Sequence, residues 1–191
     1  MPSTVQPRVA GVTEPEGPKA TSGRTGGVMI VLAWVLVLAL MGGYFSGWLE
    51  ELNNPNQQVR SERLEGDIRQ IVLAQNRGGH YVASGRINGR EVTFLLDTGA
   101  TAVSVPASLA GGLGLERGAP MQAQTANGVI TTYATRLDRV ELGNIVLYDV
   151  RAHINPHMQS DEILLGMSFL RKLEFTQRDG ELTIRQYPNR S

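Results

Sequence analysis

Four tight-turn signals set what most of this chain can become. Asn88-Gly89, Asn127-Gly128, Gly143-Asn144 and Asp179-Gly180 each separate two short runs of strand-forming residues. Asn, Asp and Gly tolerate the positive φ that two-residue hairpins require, so these pairs punctuate antiparallel strands. The flanking runs cover residues 71–73, 81–83, 122–125, 129–133, 173–176 and 181–185. Only 107–113 and 167–172 read as helical, and both are short. From Ile71 onward the pattern predicts a small all-β domain of roughly 115 residues, large enough for one core.

The first third of the chain obeys different rules. Residues 27–49 carry no charge, and 28–41 are almost wholly aliphatic. At about 1.5 Å per residue, a helix over 27–49 spans roughly 34 Å, enough to cross a hydrocarbon core of about 30 Å. Tyr44 and Trp48 lie near one end, where amphipathic rings favour the membrane interface. The tail before this run is long, the run exceeds a normal signal-peptide core, and no Ala-x-Ala site follows, so the reading is an uncleaved anchor. Residues 1–26 are rich in Pro, Gly, Ser and Thr and read as a disordered tail. Residues 50–69 read as a linker or stalk, with 59–69 as a short helix that lines up Val59, Leu64 and Ile68. Arg24 is the basic residue nearest the span, which favours a cytoplasmic N-terminus and a C-terminal domain on the far side. In a bacterium that arrangement means an inner-membrane protein with a periplasmic domain.

Composition narrows the chemistry. Eighteen basic and eighteen acidic residues balance to zero, with a pI near 6.8, which argues against nucleic acid as a partner. There is no cysteine, so disulfides, thiol catalysis and zinc-thiolate sites are excluded. His153 and His157 are four apart, but Pro156 lies between them and no Glu accompanies them. They read as loop histidines, and neither a metal nor a cofactor is expected.

The informative chemistry sits where Val92-Thr93-Phe94-Leu95-Leu96 gives way to Asp97-Thr98-Gly99-Ala100. An apolar strand ends in a polar turn whose first residue is a carboxylate, with a hydroxyl and a glycine amide beside it. Hydrogen bonds from such neighbours orient a carboxylate and favour its charged form. Glycine also lets the backbone approach the acid closely. Acid-base hydrolysis by carboxylates needs two of them, and the chain carries this motif once. Two carboxylates about 3 Å apart repel by roughly 5 kcal/mol at an effective dielectric near 20, so such a pair holds one shared proton.

The chain resembles the retropepsin-like aspartic proteases, specifically bacterial membrane-anchored members carrying Asp-Thr-Gly-Ala. The likeness runs from about Ile71 to Gln186, taken with its edges as a domain over 70–187. It rests on Gly79-His80-Tyr81, Ile87-Asn88-Gly89, Phe94-Leu95-Leu96-Asp97-Thr98-Gly99-Ala100-Thr101, Thr125-Ala126-Asn127-Gly128 and Leu164-Leu165-Gly166-Met167-Ser168-Phe169-Leu170. It implies an all-β acid-protease half-barrel completed by homodimerisation, with Asp97 catalytic in each subunit and Thr98, Gly99 and Ala100 supporting its loop. Leu164, Leu165 and Gly166 would buttress that loop, and Ala126, Asn127 and Gly128 would form the flap over a bound peptide. Exported proteins, and the chain's own linker near 53–58, are the expected substrates. One departure stands out. Retroviral members pair acids after the motif with an arginine after the later glycine, whereas this chain has Thr101, Ala102, Met167 and Ser168 there. The alternative reading is a non-catalytic dimerisation or peptide-binding module with the same fold.

Overall fold

The computed structural model describes residues 23–125 and 128–188. The chain divides into two compact units, Met1–Tyr44 and Phe45–Ser191. Helix α1 covers Gly23–Asn53. Its segment Gly27–Phe45 has a mean hydropathy of 2.4 with no share of it buried. That 19-residue segment is a candidate membrane span, since about 28 Å of helix matches a bilayer core. Residues 1–22 of the expected disordered tail lie outside the described residues, whereas 23–26 belong to α1.

Among the described residues the second unit has eleven strands: β1 Arg60–Leu64, β2 Ile68–Ala74, β3 Tyr81–Ile87, β4 Arg90–Leu96, β5 Val103–Pro106, β6 Pro120–Thr125, β7 Gly128–Leu142, β8 Ile145–Asn155, β9 Glu162–Leu165, β10 Glu174–Arg178 and β11 Glu181–Gln186. Two single-turn helices, α2 Ala107–Ala110 and α3 Met167–Leu170, interrupt them. A four-stranded sheet runs β1-β2-β11-β10. A seven-stranded sheet runs β3-β4-β9-β5-β8-β7-β6, and an added β3–β7 pairing closes six of its strands into a ring. Ile71, Leu73, Ile87, Phe94, Leu137, Ile163, Leu165 and Phe169 fill the core between them, all fully buried. The β unit is thus an all-β domain, and the chain carries one apolar N-terminal helix.

Turn chemistry sets the hairpin registers. Asn88 and Gly89 both have positive φ, 51° and 79°, which places Ile87 opposite Arg90. Asp179 and Gly180 repeat the device, at 51° and 80°, with Arg178 opposite Glu181. Asn88 also ties the hairpin to its surroundings: its Nδ2 donates to Leu113 O and its Oδ1 accepts from Arg139 N.

Strand β7 is long enough to serve two neighbours. Its residues from Tyr133 onward pair with β8, while Gly128–Thr132 have only β6 opposite them. The β6–β7 pair therefore continues past the ring as a two-stranded ribbon. Thr125 lies opposite Gly128, and Thr125 Oγ1 donates to Gly128 O. Ala126 and Asn127 lie outside the described residues.

The reading of 50–69 as a linker or stalk, with a helix over 59–69, is corrected here. Residues 51–53 continue α1, and Arg60–Leu64 form a strand paired antiparallel with β2, from Arg60↔Val72 to Leu64↔Ile68. The spacing of Val59, Leu64 and Ile68 mimicked a helix. The chain instead reverses through Glu65-Gly66-Asp67, where Gly66 and Asp67 have positive φ. Asn54 and Asn56 are buried, and Asn56 bridges in parallel to Ala83. Its amide donates to Ala74 O and Val82 O and accepts from Ala74 N, the last at 2.7 Å. One side chain thus closes the gap between β2 and β3, which belong to different sheets.

Replacing Asn56 by alanine strands the buried Val82 carbonyl and leaves the partly buried Ala74 groups to water, at about 1–3 kcal/mol for a buried group left unpaired. Asn56→Ala is expected to lower the urea midpoint of the detergent-solubilised chain by an amount equivalent to at least about 2 kcal/mol. A midpoint unchanged within error overturns this account of the segment.

Candidate active site

Strand β4 carries its apolar residues into the core and then runs out of partners. It pairs in parallel with β9, from Thr93↔Glu162 to Leu96↔Leu165. Parallel pairing needs a long crossover connection, and here the whole stretch 97–161 supplies it. At the end of the ladder Asp97 N donates to Leu165 O at 3.3 Å, so the first residue of the turn is still held by the sheet. The chain then turns on itself: Ala100 N donates to Asp97 O at 3.3 Å, and Gly99 N donates to Asp97 Oδ1 at 2.8 Å. Asp97 is half-buried, while Thr98 and Gly99 are exposed. Among the described residues nothing donates to Asp97 Oδ2. One carboxylate oxygen is fixed by its own loop and the other is free.

The second wall comes from the segment after β9. Leu164 sits opposite Leu95 on one side and Ser104 of β5 on the other. Leu165 is fully buried, and Gly166 passes directly beneath the loop. A Cβ on Gly166 would lie 2.5 Å from Ala102 O and 2.6 Å from Ala100 O, far inside contact distance. Met167 N donates to Ala100 O at 2.8 Å, closing the contact. Ser168, also buried, accepts from Val103 N at 3.0 Å and donates to Arg151 O at 2.7 Å. The loop from Asp97 to Val103 is held at its start by Leu165, in its middle by Met167 and at its end by Ser168.

The comparisons with known proteins bear on this arrangement. The family described as "gag-polyprotein putative aspartyl protease" matches residues 83–172, which contain the whole loop and its buttress. A crystal structure of a retropepsin-like aspartic protease from Rickettsia conorii superposes with a TM-score of 0.52 at 22% identity, covering 68% of this chain and 94% of that one. The chain has the fold of the retropepsin-like aspartic proteases, and its residues 83–172 are similar to that aspartyl protease family. The protease of EIAV aligns with a TM-score of 0.41 at 20% identity, over 52% of this chain and 92% of that one. An uncharacterized protein in the cobV 5′ region of a Sinorhizobium species is 28% identical over 172 residues, 83% of this chain and 73% of its own length.

Within this retropepsin-like frame, the structure gathers Asp97, Thr98, Gly99, Ala100, Leu164, Leu165 and Gly166 at one place. Gly128 belongs to the ribbon, and its neighbours Ala126 and Asn127 fall outside the described residues. His153 lies half-buried on β8, opposite Ser104 and Ala134, and burial pushes its imidazole below the usual range. His157 is exposed in the following turn. Among the described residues no cluster of His, Asp and Glu is suited to hold a metal ion.

Sequence reasoning noticed that Ser168 replaces an ionic partner but not what it does instead. Its hydroxyl joins two backbone groups from β5 and β8, a neutral bridge within one subunit. The signal in the sequence is a serine two residues past Gly166; its burial is seen only in the structure.

Two substitutions test this construction. Gly166→Ala forces a methyl group against two backbone oxygens and is expected to destabilise the fold by about 3 kcal/mol. Ser168→Ala leaves Val103 N–H and Arg151 C=O without a partner and is expected to cost about 1–3 kcal/mol. Chemical denaturation of each variant measures both; wild-type midpoints would contradict the loop contacts described above.

Proposed function

We propose that the protein is an aspartic endopeptidase, anchored in a membrane by α1 and active as a homodimer. One observation carries this reading. Asp97 stands at an exposed turn with Oδ1 held by Gly99 N and Oδ2 without a donor among the described residues, and the sequence has a single Asp-Thr-Gly. A second carboxylate of equal standing therefore comes from a second copy of the chain, across a two-fold axis.

In that dimer the two Asp97 side chains share one proton, because two negative charges at such close range repel too strongly. The ionised carboxylate takes a proton from a water held between them, and the resulting hydroxide attacks the peptide carbonyl carbon. The protonated carboxyl gives its proton to the carbonyl oxygen, forming a neutral gem-diol. Proton transfer to the amide nitrogen then releases the amine as the C–N bond breaks. No covalent enzyme intermediate forms. Thr98 fixes the two loops against each other, and Ala100 packs behind the acid. Leu164, Leu165 and Gly166 hold the loop from below. The β6–β7 ribbon, with Ala126, Asn127 and Gly128 at its end, closes over the peptide and excludes water. Met121 and Val129, both exposed on that ribbon, supply apolar contact to the substrate.

The anchor places this chemistry at a membrane surface, with the catalytic domain in the periplasm of a bacterial cell and exported proteins as substrates. The chain's own segment 53–58 is a poor substrate, because Asn54 and Asn56 are buried and hydrogen-bonded. A protease needs that stretch extended and free.

Asp97→Asn is expected to lower cleavage of a peptide library by about 10²–10⁴-fold, the usual span for loss of a general acid or base. Mixing equal amounts of variant and wild-type chains, with exchange allowed, should give about a quarter of the activity of the same total amount of wild-type chain, through random pairing in a two-fold dimer. Equal cleavage by variant and wild type would eliminate the acid pair. Peptide binding without cleavage by either would assign the fold to a dimerisation or peptide-binding module.

A further inference from the structure

Beside the Asp97 loop lies a cavity of about 890 Å³, bordered by Thr101 and Ala102, by the loop 114–118, by Met121 of the ribbon, and by β7 and β8. Its chemistry differs from the apolar interior nearby. Arg117, Arg136, Arg151 and Arg171 all border it. Asp149 engages the guanidinium of Arg136 through two hydrogen bonds and its own carboxyl is held below the usual range by that contact. The other three arginines have no salt bridge among the described residues. Glu116 and Asp138 also border the cavity, yet neither forms a salt bridge with these arginines. Arg117 is already ordered, with its guanidinium carbon 4.7 Å from the centre of the Tyr133 ring. The backbone of Arg151 is held at its carbonyl by Ser168, the residue that also ties down the end of the Asp97 loop.

We propose that this cavity is a substrate subsite for an acidic side chain, so that the enzyme selects peptides carrying Asp or Glu away from the scissile bond. The inference rests on the endopeptidase reading and names its substrate class. Ala102 follows Asp97 by five residues, at most about 17 Å of extended chain. A bound peptide advances about 3.3 Å per residue, so the acid sits between two and five positions from the cleaved bond. Two-fold symmetry repeats the cavity on the other side, and peptides acidic on both flanks are the best substrates. Guanidinium groups suit this task, because their planar fork pairs both oxygens of a carboxylate and never loses its charge. His153, which also borders the cavity, is kept neutral by burial and adds hydrogen-bonding capacity rather than charge.

The test uses the full chain in detergent and labelled peptide sets that differ only by Glu, Gln or Lys at one position. Binding is read by fluorescence anisotropy with the Asp97→Asn chain, so that no cleavage intervenes, and cleavage is read separately with native Asp97. Glu peptides are expected to bind about tenfold tighter than their Gln counterparts, as for a charge-assisted hydrogen-bonded pair. Combining Arg151→Gln with Arg171→Gln should bring the Glu-to-Gln ratio close to one. Arg171→Glu should move the preference toward Lys peptides, an inversion no misfolded chain can show. A Glu-to-Gln ratio identical in the native and doubly substituted cavities overturns the proposal, as does failure of every peptide to bind. Arginine-dependent selection of Glu without any cleavage would keep the subsite and refute the endopeptidase. Cleavage indifferent to charge would refute the subsite alone.

Discussion

The parallel pairing of β4 with β9 is the contact on which the rest depends. It ends with Leu96 opposite Leu165, and at that point both strands leave the sheet together. One enters the Asp97 turn and the other enters Gly166. Because both departures start from a shared register, the two segments cross at backbone distance, which only glycine allows at residue 166. The positions of Asp97, Ala100 and Ala102 then follow from main-chain hydrogen bonds and close packing. Long side chains play little part in them. A carboxylate held this way by its own loop is pre-positioned, and on the proposed reading that is what hydrolysis by a held water would require.

The same region is tied down by a neutral set of contacts: Met167 N donates to Ala100 O, and the Ser168 hydroxyl joins Val103 N to Arg151 O. Buried charges are expensive to desolvate and tolerate little error in geometry, whereas a hydroxyl bridging two backbone groups leaves nothing unsatisfied. The positions after the motif, Thr101 and Ala102, are small and line a cavity. Arg117, Arg136, Arg151 and Arg171 border that cavity from a loop, two strands and the turn after α3.

Much of this was legible before any coordinates. The Asn-Gly and Asp-Gly pairs foretold the hairpins because their physics is local, a demand for positive φ at named residues. The turn at Asp97 was legible because an apolar run giving way to Asp-Thr-Gly marks the end of a strand, again a local signal. What failed was non-local. The segment 59–69 matched a helical spacing by coincidence, and nothing within it revealed that β2 would offer a free edge. Asn54 and Asn56 resembled linker residues because burial of an asparagine depends on which backbone groups lie unpaired nearby. The parallel ladders β4–β9 and β5–β8 join residues far apart in the chain, so no window of sequence contains both partners. The Arg-lined cavity escaped for the same reason: residues 117, 136, 151 and 171 come from a loop, two strands and the turn after α3.

The burial of Asn56 changes what the tether can do. Had residues 50–69 been a slack stalk, the domain would sample a wide volume beneath its anchor and the effective concentration of a partner would be correspondingly dilute. Instead the chain is already part of the β unit by Asn54, so few residues are free to act as a leash after the apolar segment. On the proposed reading, two such domains confined to one membrane surface meet with restricted orientations, and a weak interface is enough to pair them. On that same reading, a site divided between two chains would be inactive wherever the chains are dilute, and membrane anchoring would act as the concentration switch for their pairing.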